Sequence, residues 1–423
     1  MACGKVAGKA GLIWPAPVDR FSSARRVRGP QDPRIWNVEN SRVKMFALDA
    51  EDDLVLVRNA IVVPPPTEGR GRQQASGVLT PEGVMVENSI SWSNSREAVN
   101  SAPDMPEDDS LEALGGSWMF GGIIYGHFGH FIVETFARAW ALSELRDQVE
   151  GVIFTPKQVS GNIDNMLKAL RPLMDSLGLD LPVRCVLAPT VVENLHVPRQ
   201  GVGMGDLTTG SRKFREFVNA NAGAGIAADG PERIYISRSL LPPQRGGLVG
   251  ESMLEAYLAE EGYEMFHPQK HPAAVQIAQY KAARDVITVD CSPLHMLAYV
   301  GNAAQRTAIL TRRSMDFSPS FVRQLEAFKG ITAFEVNTLV QDWVPGRAMR
   351  PGRGSFGEMD FPRTWKALRD RGMIKGDVPW PALTDEQREA DLARINELHG
   401  TTFHPLTENL ERQKQRTAVP LPE

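Results

Sequence analysis

Between residues 126 and 142, apolar and polar side chains recur with the period of a helix. At 3.6 residues per turn, an apolar stripe that starts at Phe128 and ends at Leu142 lies along one side. Along another side, four polar residues follow at steps of three, four and four: His127, His130, Glu134 and Arg138. Glycines at 121, 122 and 126 precede this stretch and allow a tight turn. The pattern predicts one regular helix with two imidazoles, a carboxylate and a guanidinium on one face.

After this helix, short apolar runs alternate with helical patterns. Strands are predicted at 151–154, 183–187 and 195–197, and helices at 161–178 and 212–221. The second half repeats the alternation, with strands at 233–237, 263–266, 285–289 and 307–310 and helices at 251–261, at 273–284 and from 292 onward. Such alternation indicates parallel sheets covered by helices. The second set has the size of a nucleotide-binding half-domain, about 100 residues.

The flanking regions follow other patterns. Residues 40–100 contain short apolar runs broken by proline and glycine, which predicts short antiparallel strands. An acidic connection is expected at 101–114, and a charged helix at 384–398 is expected to brace the outside. The expected organisation is a loose N-terminal segment (1–35), an N-terminal α/β domain with a β-rich start (36–225), a Rossmann-like domain (226–340) and a tail with the helical brace (341–423).

Composition narrows the class of protein. Hydrophobic residues make up 42% and charged residues 23%, as in ordinary globular proteins. The net charge of −4 gives no electrostatic footprint for nucleic acid. The three cysteines are too widely spaced for a disulfide framework, so we expect a reducing compartment, the cytoplasm. No apolar run predicts a signal peptide or a transmembrane span, and contact with a membrane surface through partners is left open.

The polar stripe on the predicted helix has three interpretations. It is a solvated face with a Glu134–Arg138 pair at i, i+4, a metal site, or one wall of an active-site cleft. A metal site would use His127 and His130, although the spacing differs from the HExxH arrangement of zinc hydrolases. In a cleft, one histidine would serve as general base, since imidazole titrates near neutral pH. The stripe alone leaves all three open.

Two predicted strand ends offer groups that bind anions. Ser237 and Arg238 end one strand, with Arg245 in the same loop. Residues 290–295 end another strand and open a helix, whose N-terminus suits a phosphate. Arginine forks can grip a diphosphate from outside. Each feature also has a plainer interpretation: the arginines pair with surface acids, Ser292 is only an N-cap, and His295 is a core histidine. Neither a GxGxxG fingerprint nor a P-loop occurs.

Four segments together resemble a known family. They are GGSW at 115–118, GHFGHF at 126–131 with the acid and arginine that follow, RIYISR at 233–238 and VDCSPLH at 289–295. In this order and spacing they resemble family 61 glycosyltransferases of a bacterial-like type, across residues 110–312.

The resemblance implies a GT-B-like α/β fold, in which two Rossmann-type domains face a cleft, with a β-rich N-terminal extension and a C-terminal helical tail. It implies inverting transfer, without metal or other cofactor, from a nucleotide-sugar donor to a glycan, lipid-linked or other hydroxyl acceptor, as in surface or capsular polysaccharide synthesis. The resemblance also implies that the C-terminal half binds the nucleotide-sugar donor. A non-catalytic nucleotide- or glycan-binding protein on the same fold is the alternative.

The resemblance also assigns roles to residues. The implied catalytic residues are His130 as base, Glu134 as its partner and His127 as the second choice. The implied donor-binding residues are Ser237, Arg238, Arg245, Glu251, Ser292 and His295, and the other implied cleft residues are Arg138 and Asp290. The sequence departs from the family pattern at His127, Gly250 and Cys291, where asparagine, asparagine and glycine are more usual.

Overall fold

A six-stranded mixed sheet organises the first half of the computed structural model, which describes residues 46–49, 53–67, 71, 73–158, 162–315 and 317–417, with side chains to 411. The predicted segment 1–35 lies outside these residues. The strand order is Gly77–Leu79, Leu54–Val63, Thr190–Pro198, Glu112–Ile124, Gly151–Pro156 and Val183–Cys185. Leu54–Val63 runs antiparallel to both neighbours, and the other pairs are parallel. The helices Ile163–Ser176 and Arg212–Asn221 confirm the two predicted there.

The strand Glu112–Ile124 corrects the prediction of an acidic connection followed by a glycine turn. Its glycines are needed for close packing within the sheet. A Cβ on Gly121 would overlap the Phe154 ring, and one on Gly122 would overlap the Arg138 guanidinium. Gly122 also has φ of 94°, which favours glycine. Upstream, within the region 40–100 where short antiparallel strands were predicted, Leu54–Val63 is one strand of ten residues. The apolar run at 83–86 forms only a single bridge, between Leu79 and Met85.

The helix after this strand is irregular. Its pieces are an α-helical turn at Phe128–His130, a π-helical turn at Phe131–Thr135, a 3₁₀ stretch at Phe136–Ala141 and an α-helical turn at Leu142–Leu145. We call residues 128–145 the histidine helix. Thr135 ties it to the preceding strand, because its Oγ1 accepts from Tyr125 N at 2.9 Å and donates to Ile123 O at 3.0 Å. The wide turn rotates every later residue relative to a regular helix, so one polar stripe from 127 to 138 does not form.

The second half contains a five-stranded parallel sheet. Its order is Glu264–Phe266, Arg233–Ile236, Asp285–Val289, Arg306–Leu310 and Thr332–Val336. The helices that accompany it are Glu251–Glu260, Ala273–Ala282, Pro293–Val300 and Ser318–Lys329. The predicted alternation is confirmed, with a fifth strand added at 332–336. In sequence order the strands are arranged 2-1-3-4-5, so the topology switches between 233–236 and 285–289, where open α/β sheets bind ligands.

The C-terminal tail contributes a third sheet that the sequence analysis did not predict. Its strands are Gly247–Leu248, Phe356–Met359, Leu339–Pro345 and Phe403–Pro405. The helices around it are Phe361–Asp370, Asp385–His399 and Leu406–Thr417, and the second of these confirms the predicted charged helix. Thr384 and Gln387 form a capping box at its start. The tail is therefore part of a sheet as well as a helical brace.

A shared apolar core joins the histidine helix to the second half. Phe131, Phe136 and Tyr299 are among its buried members. Tyr299, on the helix Pro293–Val300, donates to Ile132 O at 3.2 Å, and its ring lies 6.4 Å from that of Phe136. This packing fixes the start of helix 293–300 beside the two histidines. Within the described residues, no helix combines the length and the apolar character that crossing a membrane requires.

Candidate active site

His130 and Glu134 form a contact at the exposed start of the histidine helix. The His130 Nδ1 meets Glu134 Oε2, and the His130 side chain is 44% exposed whereas that of Glu134 is 9% exposed. The His130 ring also stacks on Tyr125, with ring centroids 5.3 Å apart. When Nδ1–H donates to the carboxylate, Nε2 retains its lone pair and faces outward. A buried acid thus orients an accessible base.

His127 lies beside His130, with ring centroids 5.4 Å apart in an edge-on arrangement. Its Nδ1 is buried and has no hydrogen-bond partner among the described residues. Burial, His130 and then three arginines, Arg245, Arg353 and Arg238, lower the pKa of His127 to about 4. The imidazole is therefore neutral near pH 7 and faces positive charge that comes from the second half of the chain.

The arginine loop, residues 238–246, follows the strand Arg233–Ile236 and closes on itself. Arg238 donates from Nε to Gly246 O at 3.3 Å and from Nη2 to the carbonyls of Arg245 and Gly246. Within the described part of the chain, its Nη1 and the whole Arg245 guanidinium have no protein acceptor. Arg245 therefore does not pair with a surface acid here, which was the plainer interpretation.

Buried acids fix the start of this loop. Glu251, buried at the start of its helix, accepts from Arg238 N at 2.8 Å and from Tyr235 Oη at 3.0 Å. Burial raises the pKa of Glu251, and the bond from Arg238 N opposes that shift. The Ser237 hydroxyl is also buried and donates to Glu255. Through these bonds, the buried Ser237 and Glu251 side chains support the arginine loop from the protein interior.

The helix Pro293–Val300 begins against the histidine helix. A Cβ on Gly129 would lie 2.5 Å from Ser292 Oγ. The two segments are therefore too close together for a residue larger than glycine at position 129. Ser292 is the N-cap residue of this helix, as predicted, but its side chain makes no capping hydrogen bond, which leaves the hydroxyl at the junction. The second-half strand ends and the histidines thus share one site.

His295 is buried one turn further along. Its Nδ1 lies 2.6 Å from Gln324 Oε1, and its ring centroid lies 4.9 Å from that of Phe321. A side chain this enclosed fits the core-histidine interpretation better than direct donor binding. Burial lowers the pKa of His295 to about 4, although the bond to Gln324 opposes the shift.

This shift gives His295 an effect on stability that depends on pH. Between the unfolded pKa of 6.5 and about 4, the unfolded chain binds a proton that the folded chain does not, so stability falls as the pH falls through this window. We expect His295→Gln to remove up to about 3 kcal/mol of that loss. Urea unfolding at pH 7 and pH 4.5 measures it; equal losses in variant and wild type would contradict the assignment.

The part of the chain that contains these site residues matches a known protein family. Residues 128–310 match the model of the family Glycosyltransferase 61. Residues 128–310 of the chain are a family 61 glycosyltransferase segment. The match confirms the resemblance and contains His130, Glu134, the arginine loop and Ser292. The search of curated proteins found no match.

Two further arginines surround Asp290. Asp290 follows the strand Asp285–Val289, and its Oδ2 accepts from Arg313 Nε at 3.0 Å. Arg312 Nε lies 3.3 Å from Asp290 Oδ1, and burial lowers the pKa of Arg312 to about 10. Both arginines follow the strand Arg306–Leu310, so their position at a strand end was a usable signal that the sequence analysis missed. The Asp290 carboxylate therefore positions Arg312 and Arg313 and is already occupied by these two ion pairs.

Arg138 lies away from the histidines, against the prediction that it shares their face. It is fully buried and donates to three carbonyls, Pro198 O at 3.0 Å, Asn88 O at 2.9 Å and Ile90 O at 2.8 Å. The π-helical turn at Phe131–Thr135 and the 3₁₀ stretch that follows it account for the change of direction. Burial and then the charge of Arg199 lower the pKa of Arg138 to about 9. Arg138 therefore fastens the histidine helix to the loop 88–91.

Two other features of the protein do not add to this site. Among the described residues, no three His, Cys, Asp or Glu side chains are grouped so as to hold a metal ion. A cavity of about 520 Å³ lies elsewhere, beside Trp140. Its charged walls are already paired, with Lys213 Nζ 2.9 Å from Asp53 and 3.0 Å from Glu144. These ion pairs already neutralise the charges of the cavity wall, so the cavity does not indicate a site for a charged ligand.

Proposed function

We propose that this family 61 glycosyltransferase transfers a sugar from a nucleotide-sugar donor to a hydroxyl of a glycan or lipid-linked acceptor, with inversion and without a metal ion. In this proposal the two α/β halves act as in a GT-B enzyme, with the division near residue 225. Surface polysaccharide synthesis in the cytoplasm stays the expected setting. The observation that supports the proposal best is that the oriented base His130 and the unpaired guanidinium of Arg245 face one site.

The proposed chemistry is a single displacement. The acceptor oxygen attacks the anomeric carbon while His130 Nε2 takes its proton, and the bond from that carbon to the diphosphate oxygen breaks. Glu134 stabilises the imidazolium that forms, because its carboxylate contacts Nδ1. The electron pair leaves with the diphosphate, where guanidinium groups stabilise the developing charge.

The binding half of the proposal rests on the arginine loop. Arg245 and the free Nη1 of Arg238 offer donors for phosphate oxygens, and His127 stays neutral beside them. A neutral imidazole can donate to an anion without adding a charge that the arginines would repel. The strand-end position between 233–236 and 285–289 is where a doubly wound sheet binds its ligand.

A thermal-shift screen tests donor binding. We expect one or more nucleoside diphosphates, or their sugars, to raise the melting temperature, because a ligand that binds only the folded state stabilises it. Arg238→Ala should reduce the shift, since it removes a donor and loosens the loop. Arg212→Ala is the control, because that side chain is 70% exposed and pairs with Glu216. No shift with any diphosphate would contradict the proposed donor class.

A further inference from the structure

A second basic loop lies at the site, outside the segment that matches the family. Residues 346–354, the third-sheet loop, join the strands Leu339–Pro345 and Phe356–Met359. The loop contains three exposed arginines, Arg347, Arg350 and Arg353. The sequence pattern indicated no function for this stretch of the tail.

The third-sheet loop is in backbone contact with the arginine loop. Gly247–Leu248, directly after the arginine loop, pairs in parallel with Phe356–Gly357. Gly246 has φ of 65°, and a Cβ there would lie 2.8 Å from Arg353 O. On the other side, a Cβ on Gly354 would lie 3.2 Å from Gln244 O. The arginine loop and the third-sheet loop therefore pack together and form one wall of the candidate site.

Arg313 ties the same loop to the parallel sheet. Its Nε donates to Asp290 Oδ2 at 3.0 Å, and its Nη1 donates to Gly352 O at 3.3 Å. Asp290 follows a strand end at the topological switch point, and Gly352 directly precedes Arg353. The backbone of Arg353 is thus held beside the strand ends from two directions.

The Arg353 guanidinium has no hydrogen-bond or ion-pair partner within the described residues. Its charge reaches His127, where, after burial, His130 and Arg245, it contributes to the lowered pKa. Arg353 and Arg245 therefore direct positive charge at the same imidazole, on the side of the site where the proposed base lies. The phosphate bonded to the sugar would lie nearest that base, because the base must reach the nucleophile at the anomeric carbon.

We propose that Arg353 binds the sugar-linked phosphate of the donor diphosphate, as a second guanidinium beside Arg245. The inference rests on the proposed function and adds a binding residue to it. A guanidinium donates to two phosphate oxygens at once, so one such contact is a substantial share of the affinity. The third-sheet loop then gives this chain a diphosphate contact that the segment 128–310 lacks.

The test compares diphosphate with monophosphate binding. Calorimetry would use uridine, guanosine, cytidine, adenosine and thymidine diphosphates and the matching monophosphates on the full chain. For the nucleoside that binds wild type, we expect Arg353→Ala to weaken diphosphate binding by about tenfold or more, the cost of a charge-assisted hydrogen bond. Monophosphate binding should change less than about twofold, since the lost contact is to the second phosphate.

Two control variants come from the same loop. Arg347→Ala and Arg350→Ala remove the same charge, and both should leave diphosphate affinity within about twofold of wild type. Unchanged diphosphate affinity in Arg353→Ala, or equal loss in all three variants, would overturn the assignment while leaving the proposed function standing. Wild-type protein that binds none of the diphosphates would overturn both. Unfolding midpoints of the three variants would show that each is folded.

Discussion

His130→Ala is expected to lower the turnover of sugar transfer by about 10²–10⁴-fold, the usual contribution of a general base. The reason is geometric: Glu134 occupies Nδ1, which leaves Nε2 of a half-exposed imidazole as the proton acceptor. Binding of the nucleoside diphosphate should stay within about twofold of wild type, because the phosphate donors lie on the second half. Steady-state kinetics and calorimetry on the same preparation measure the two quantities.

His196→Ala is the matched control for this variant. His196 is also half-buried, but its Nε2 lies 3.2 Å from Ser117 Oγ, midway along the strand Glu112–Ile124 that leads to the histidine helix. Its replacement should leave turnover nearly unchanged. Wild-type turnover in His130→Ala, or a parallel loss of nucleotide binding, would contradict the separation of base and donor site.

Arg138→Met is expected to lower the free energy of unfolding by about 3 kcal/mol. The variant leaves the buried carbonyls of Asn88, Ile90 and Pro198 without donors, each at about 1–3 kcal/mol. Removing a buried cation that has no carboxylate partner offsets part of this loss. We expect the carbonyls to dominate, because the methionine thioether donates nothing. Urea unfolding followed by circular dichroism gives the difference.

Arg212→Met removes the same charge from a side chain that is 70% exposed and paired with Glu216. It should cost less than about 0.5 kcal/mol. Arg138→Lys adds a second comparison, since lysine keeps the charge but cannot reproduce the fork that spans 88–91 and Pro198. Full stability in Arg138→Met would show that the histidine helix is fastened by packing alone.

The parallel sheet of the second half was accessible to prediction because its strands are buried on both faces. Such strands are continuous apolar runs, as at 285–289, and helices with clear ends separate them. The strand Glu112–Ile124 was not accessible, because four glycines conceal a strand pattern. Two of them, Gly121 and Gly122, leave room for Phe154 and Arg138, a requirement that only the tertiary structure reveals. The third sheet is built from short strands that are distant in sequence, and pairing at that range leaves little local signal.

The site was predicted where it depends on local spacing and missed where it depends on tertiary contact. His130 and Glu134 meet because they are four residues apart at the start of the histidine helix. Arg138 was placed wrongly because the extra residue in the π-helical turn cannot be read from periodicity. The loop that carries Arg353 is held by contacts distant in sequence, the pairing of Gly247–Leu248 with Phe356–Gly357 and the bond from Arg313 to Gly352 O.

The most direct test of the account is the release of nucleoside diphosphate when the wild-type chain is incubated with a panel of nucleotide sugars and hydroxyl acceptors. The account predicts release from at least one donor, faster with an acceptor than without, and nearly absent in His130→Ala. A donor that binds tightly but is never consumed, with every acceptor tried, would contradict it and indicate a binding protein on a glycosyltransferase fold.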